Sequence, residues 1–244
     1  MRSTRIVLSG IVALMGTAAF ATHYDDAIND VSSVMAGYGN PNADIASVDI
    51  TNDNSLIAFK ITCNSSDIIS PDWIKLNVII RKVGDAAASL DTSANGNGWI
   101  RPYNMAGGAS RFIGGWLDGG GGFEARTYNP GLVAWDLQGA TYNATPGMSI
   151  QISGNTATFT TPLSALNLKI GDTFYFDAVT TGGYSSDGAW DALSSAVETI
   201  ANPGDPFTVA GTSKYRVSKS PIPISGSSKP PLLALGMRVL PLEN

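Results

Sequence analysis

The chain has 244 residues, a formal net charge of −5, one cysteine and one histidine. Acidity without a basic cluster argues against nucleic acid and anionic membranes as partners. With so few His and Cys side chains, a zinc site lacks ligands and a Ser-His or Cys-His dyad would have to recruit the solitary His23.

The first predicted element is a secretory signal over residues 1–21. Arg2 and Arg5 form a basic start, Ile6–Met15 is an apolar run too short to span a bilayer, and Ala19-Phe20-Ala21 is a small-x-small cleavage site. The mature chain is expected to begin near Thr22 and to be secreted, extracellular or at the cell surface; an uncleaved anchor is the alternative. Cleavage removes Arg2 and Arg5 and takes the net charge to −7. His23 then falls at a terminus, where chains usually fray. Residues 22–218 are expected to form one β domain, large enough to bury roughly 70% of its unfolded surface.

Period-two alternation dominates the mature chain, and helical periodicity is nearly absent. In Ser55–Cys63 the residues Ile57, Phe59, Ile61 and Cys63 share one face, so Cys63 is expected to be a small buried apolar group. A reactive or dimer-forming thiol is the alternative. Ile74, Leu76, Val78 and Ile80 alternate with Trp73, Lys75, Asn77 and Arg81 as a half-buried strand. Phe174, Phe176 and Ala178 alternate with Tyr175, Asp177 and Val179 in the same way, and weaker strands fit Arg111–Asp118, Phe123–Tyr128, Leu132–Asp136, Met148–Ile152, Thr156–Thr160 and Phe207–Val217. Turn clusters separate them at Asn52-Asp53-Asn54, Asn95–Gly98, Gly119–Gly122, Ser153-Gly154-Asn155 and Gly182-Gly183. The expected fold is therefore all-β: a two-sheet antiparallel β-sandwich, jelly-roll or immunoglobulin-like, of about ten strands. At most one short helix is expected, over Ala189–Ile200 and ended by Asn202-Pro203-Gly204. Residues 219–244 are rich in proline and serine and read as a poorly ordered tail.

Exposed aromatics are the first candidates for binding, because flat rings bury the axial C–H faces of sugars while polar neighbours fix hydroxyls. Trp73 lies on the polar face of its strand, and Trp99 sits in a Gly/Asn-rich loop beside Arg101 and Tyr103. Trp116 joins them, although its alternation with Gly114 and Asp118 leaves its face open. Packing in the core is the competing role for each tryptophan. The chain has only three glutamates, Glu124, Glu198 and Glu243, and most aspartates sit in turns. A paired acid and base for glycoside hydrolysis is not evident, and no enzymatic activity is expected. The Gly119–Gly122 run lacks the Lys-Ser/Thr and helix of a phosphate cradle.

Residues Asp25–Val31 (DDAINDV) and Asp44–Ile61 (DIASVDITNDNSLIAFKI) resemble the opening of DOMON-like sandwiches, a group that includes type-nine carbohydrate-binding modules. Asp26, Asp30, Asp44, Asp53, Leu56, Phe59 and Ile61 stand at the matching positions, while Asn29 occupies a place usually held by glycine. The segments GNGWIRP, GASRFIGGWLDGGGGFE and LSALNLKIGDTFYFDAVTTGG are similar to a set of secreted bacterial proteins that often carry PEP-CTERM sorting tails and mostly have no assigned function. The tail here lacks Pro-Glu-Pro, a full apolar span and a basic end. Haem, bound by some DOMON relatives, is disfavoured without an interior histidine.

The resemblance implies a secreted β-sandwich of the carbohydrate-binding type; with the exposed aromatics it gives the expectation of a non-catalytic binder, with Trp73, Trp99, Arg101, Tyr103 and Trp116 as candidate binding residues and a polysaccharide or surface glycan as partner. It is expected to be a monomer without a membrane span. Its acidic opening, with Asp26 and Asp30 at i, i+4 beside Asp44, suggests one Ca²⁺; Asp187 and Asp191 near Asp177 form a second candidate set, and ordinary acidic turns the alternative. The other functional reading is a cell-surface or matrix structural protein with no small-molecule ligand.

Overall fold

The computed structural model describes residues 21–32, 41–66, 68, 74–88, 96–194 and 201–219. The signal sequence, Trp73 and the proline-rich tail beyond residue 219 lie outside the described residues. Their regular secondary structure is almost entirely strand, and the helical turns among them are four short 3-10 segments.

One sheet has five strands in the order β1 (Thr22–Asp25), β2 (Ile45–Asn52), β3 (Leu56–Cys63), β10 (Thr156–Pro162) and β9 (Ser149–Ser153). The second runs β12 (Asp191–Ala192), β11 (Thr173–Thr181), β4 (Lys75–Lys82), β6 (Arg111–Trp116), β7 (Gly122–Asn129) and β8 (Ala134–Ala140). Strand β14 (Ser213–Arg216) extends it by pairing with the start of β11. Every pairing in these two sheets is antiparallel. The β2–β3 hairpin turns as Asn52-Asp53-Asn54 predicts: Asp53 Oδ1 accepts the backbone N–H groups of Ser55 at 2.6 Å and Leu56 at 2.7 Å.

The inner faces meet in one apolar core. Val48, Ile50, Phe59, Ile61 and Phe159 come from the first sheet, and Leu76, Val78, Ile113, Phe123, Phe174 and Phe176 from the second. Aromatic pairs bridge the layers, with ring centroids 5.3 Å apart for Phe123–Phe159 and 4.8 Å for Tyr24–Phe176. Cys63 belongs to this core and is fully buried. The expected sandwich is therefore present.

Two expectations are corrected. The second sheet is covered on both faces, because a parallel pair, β5 (Tyr103–Met105) with β13 (Phe207–Val209), lies over its outside. Ile79, Phe112, Trp135, Val179 and Tyr103 form a second apolar cluster there. Asn77 and Asp177, predicted to face water by alternation, are buried beneath that added layer. The segment from Ala189 is not helical over its described part. It turns back along β11, with Trp190 N donating to Thr180 O and Leu193 N to Ala178 O, and these ladder bonds outcompete a helix. Residues 195–200 lie outside the described set.

Candidate functional site

A cleft of about 370 Å³ opens on the outer face of the second sheet, lined by Lys75, Trp99, Arg101, Trp116 and Asp118. The sheet itself explains who lines it. Lys75 and Trp116 are directly paired across β4 and β6, and Gly114 faces Glu124 across β6 and β7. On this pleat Gly114, Trp116, Gly122 and Glu124 share one side.

The tryptophans lie flat because glycines lie beneath them. A Cβ on Gly114 would stand 2.3 Å from Cε2 of Trp99, and one on Gly122 would stand 2.2 Å from Cζ2 of Trp116. Glu124 then fixes the rings from below. Its Oε1 accepts Trp99 Nε1 at 2.6 Å and Arg126 Nε at 2.5 Å, and its Oε2 accepts the Tyr142 hydroxyl at 3.1 Å. Tyr142 stacks obliquely on Trp116, centroids 6.0 Å apart.

The loop that carries Trp99 and Arg101 is wound around one buried asparagine. Asn97 Nδ2 donates to the carbonyls of Arg101 at 2.9 Å and Tyr103 at 2.7 Å, and its Oδ1 accepts from Trp99 N at 3.0 Å. All of its amide geometry is spent on shaping this turn. Arg101 is buried; its Nη1 donates to Thr181 Oγ1, Gly182 O and Tyr184 O, and its guanidinium carbon stands 5.3 Å above the Trp99 ring. Burial lowers its pKa from the ordinary arginine value. Lys75 Nζ meets Asp118 Oδ1 at 2.7 Å across the cleft floor.

Three sequence-predicted residues, Trp99, Arg101 and Trp116, thus line one cleft. Tyr103 does not. It is fully buried in the second apolar cluster, with its hydroxyl accepting from Asn77 Nδ2 at 2.5 Å. Beside Arg101 in a glycine-rich loop it looks exposed, but β5 forms an inner layer with β13 and takes it inside. Trp73 falls outside the described residues. Lys75, Asp118 and Glu124 carry no local signal because their grouping depends on strand register, and Tyr142 carries none because it comes from the turn after β8.

A second constellation lies at the entrance to β2. One oxygen each of Asp30, Asp44 and Asp191 lies within 4.8 Å of the others. Asn29, at a position the DOMON-like pattern gives to glycine, adopts a left-handed φ of 68° that asparagine tolerates, and its N–H donates to Asp44 Oδ2 at 2.8 Å. Asn64 Nδ2 donates to the same oxygen at 2.8 Å. Asp191 Oδ2 accepts Ile45 N at 2.5 Å, and Asp26 Oδ1 accepts Ala27 N at 2.9 Å. The second oxygens of Asp26, Asp44 and Asp191 meet no donor among the described residues. Burial pushes the Asp26 pKa up to about 8 and that of Asp191 up to about 9, and repulsion from the neighbouring carboxylates adds to both.

The expected metal set is thus rearranged. Asp30 and Asp44 are brought together, Asp26 stands within electrostatic reach, and Asp191 joins them from the second candidate set. Asp177 instead holds Ser194 and Gly211, and Asp187 accepts Tyr184 N at 2.9 Å. The union is hidden in the sequence because it joins the chain start to a strand near the chain's far end. No described helix is long and apolar enough to cross a membrane. No family model, curated protein or solved structure shows a significant match to the chain.

Proposed function

We propose that this chain is an exported, non-catalytic β-sandwich that binds a saccharide in the cleft between Trp99 and Trp116. The observation that carries the reading is the pair of half-buried indoles laid on Gly114 and Gly122, with Lys75, Asp118 and Arg101 alongside. Rings fixed in advance lose little rotamer freedom on binding, and they offer flat apolar area to sugar C–H faces. The charged neighbours supply donors and acceptors for hydroxyls.

The carboxylates near the cleft support binding over hydrolysis. Glycosidases need one carboxylic acid held protonated beside a second carboxylate. Here Asp118 is engaged by a lysine, and Glu124 accepts from an indole, a guanidinium and a phenol. The DOMON-like resemblance of the opening segment points the same way.

A glycan array and polysaccharide pull-down with the full chain test the reading. Retention is expected on at least one glycan and is expected to fall at least tenfold in Trp99→Ala plus Trp116→Ala. Undiminished retention by that double variant, or none on any glycan by the unaltered chain, overturns it. The second outcome, with the protein fractionating in the envelope, favours a structural role at the cell surface.

A further inference from the structure

We propose that Asp30, Asp44 and Asp191, with Asp26 beside them, hold one calcium ion that fastens the N-terminal arm and β2 to β12, the far edge of the opposite sheet. The three ligands come from three separate stretches: the segment after β1, the residue preceding β2, and β12 itself.

The arrangement differs from an acidic surface turn in two independent ways. First, its inner side is dry: Asp44 is 2% exposed and Asp191 0%, with Asp26 and Asp30 half-buried at its outer side. Second, the donors are one-sided. On Asp26, Asp44 and Asp191 one oxygen is anchored by a backbone or amide N–H, and the other is buried with no donor among the described residues. No described Lys, Arg or His forms an ion pair with any of these three. A buried acceptor left open costs free energy, and several carboxylates crowded in a dry site cost more. A single cation satisfies them together. Anchoring one oxygen from behind while the other faces inward is also how outer-shell hydrogen bonds orient metal ligands.

The chemistry selects the ion. Every donor is a hard oxygen, which suits Ca²⁺, Mg²⁺ or Mn²⁺ and not the softer metals. Mg²⁺ demands near-octahedral geometry and keeps several waters, whereas Ca²⁺ accepts irregular cages of carboxylate and carbonyl oxygen. An irregular site assembled from three chain segments fits the second description.

The test uses the full chain, stripped with chelator and dialysed. Calorimetry is expected to give saturable heat at one Ca²⁺ per chain. At a hundredfold excess over the dissociation constant the melting temperature is expected to rise by roughly 5–10 °C, and less with the same concentration of Mg²⁺. Asp191→Asn and Asp30→Asn are expected to lose the response while melting no lower than the chelated parent, since each removes a buried repulsion. Tb³⁺ luminescence, sensitised by Trp190 and displaced by Ca²⁺, gives a reading on the unaltered chain if a variant does not fold. Absent heat with an unchanged melting temperature, or an undiminished Ca²⁺ response in both variants, overturns the site. Trp99→Ala plus Trp116→Ala is expected to keep the full response, so this proposal and the saccharide reading fail separately.

Discussion

Trp99 rests on the bare backbone of Gly114, close enough that a β-carbon there would come within 2.3 Å of the indole. The neighbouring glycine repeats the relationship on the other side of the strand: a Cβ on Gly115 would meet Phe159 at 2.4 Å. Strand β6 therefore carries its glycines so that an aromatic ring can lie on each face, one toward the core and one toward the cleft.

Gly114→Ala is expected to destabilise the fold by about 1–3 kcal/mol, the usual cost of forcing extra volume into a packed position. It is also expected to abolish saccharide retention by tilting Trp99. Trp99→Ala in the same chain removes the closest contacts the methyl would meet and leaves Phe112 Cε1 at 2.7 Å, so the two costs are expected to be partly non-additive in urea denaturation. Strict additivity would show that the ring does not lie on the strand.

The fold is largely legible in the sequence because alternation is a local signal. Phe59, Leu76 and Phe174 each announce an inward face without reference to anything distant, and all three are buried in the central core. The outer face of the second sheet is not legible in this way. Asn77, Asp177 and Tyr103 are polar or amphipathic residues that read as exposed until β5 and β13 cover them. Their parallel pairing joins Phe207 to Tyr103, a contact with no local signature. The candidate sites divide along the same line. Asp30 and Asp44 share the opening motif, whereas Asp191 reaches them only because β12 folds back along β11. Trp99 and Arg101 sit in one short loop, but their companions Lys75 and Glu124 arrive through the register of β4, β6 and β7.

His23 provides a pH-dependent probe of the first strand. Far from fraying, it lies in β1, paired opposite Asp49 of β2. Its Nδ1 is 2.6 Å from Asp49 Oδ1 and its Nε2 is 2.9 Å from Asp25 Oδ1. The hydrogen bond to Asp49, then that to Asp25, raises its pKa above 6.5. A raised folded pKa means that the folded state binds the proton more tightly. The added stability is fully present below about pH 6.5 and is lost as pH climbs through the folded value. Because the chain has one histidine, its C2–H resonance titrates alone. The midpoint is expected above 6.5 and is expected to fall toward that value in Asp49→Asn. An unshifted midpoint in the unaltered chain would mean that β1 does not pair with β2 in solution.

Cys63 offers a measure of how the two sheets open. It is fully buried, paired opposite Ile45 on β2, and within electrostatic reach of both Asp44 and Asp191. Its own backbone is locked as well: its N–H donates to Asn155 O at 2.9 Å, and its carbonyl accepts Asn155 Nδ2 at 3.0 Å. A thiol reagent such as DTNB reaches the sulfur only after β2 or the β9–β10 turn lifts away, so the labelling rate reports that local opening. Labelling is expected to be slow in native buffer and complete, at one thiol per chain, in strong urea. An ion held by Asp44 and Asp191 binds the closed form alone, so Ca²⁺ is expected to slow labelling by the factor one plus its concentration over its dissociation constant. Calcium that binds by calorimetry but leaves the rate untouched would mean that the thiol is exposed by an opening that spares the acidic cluster. A thiol as reactive in buffer as in urea would place Cys63 at the surface and undo the packing of β3 against its neighbours.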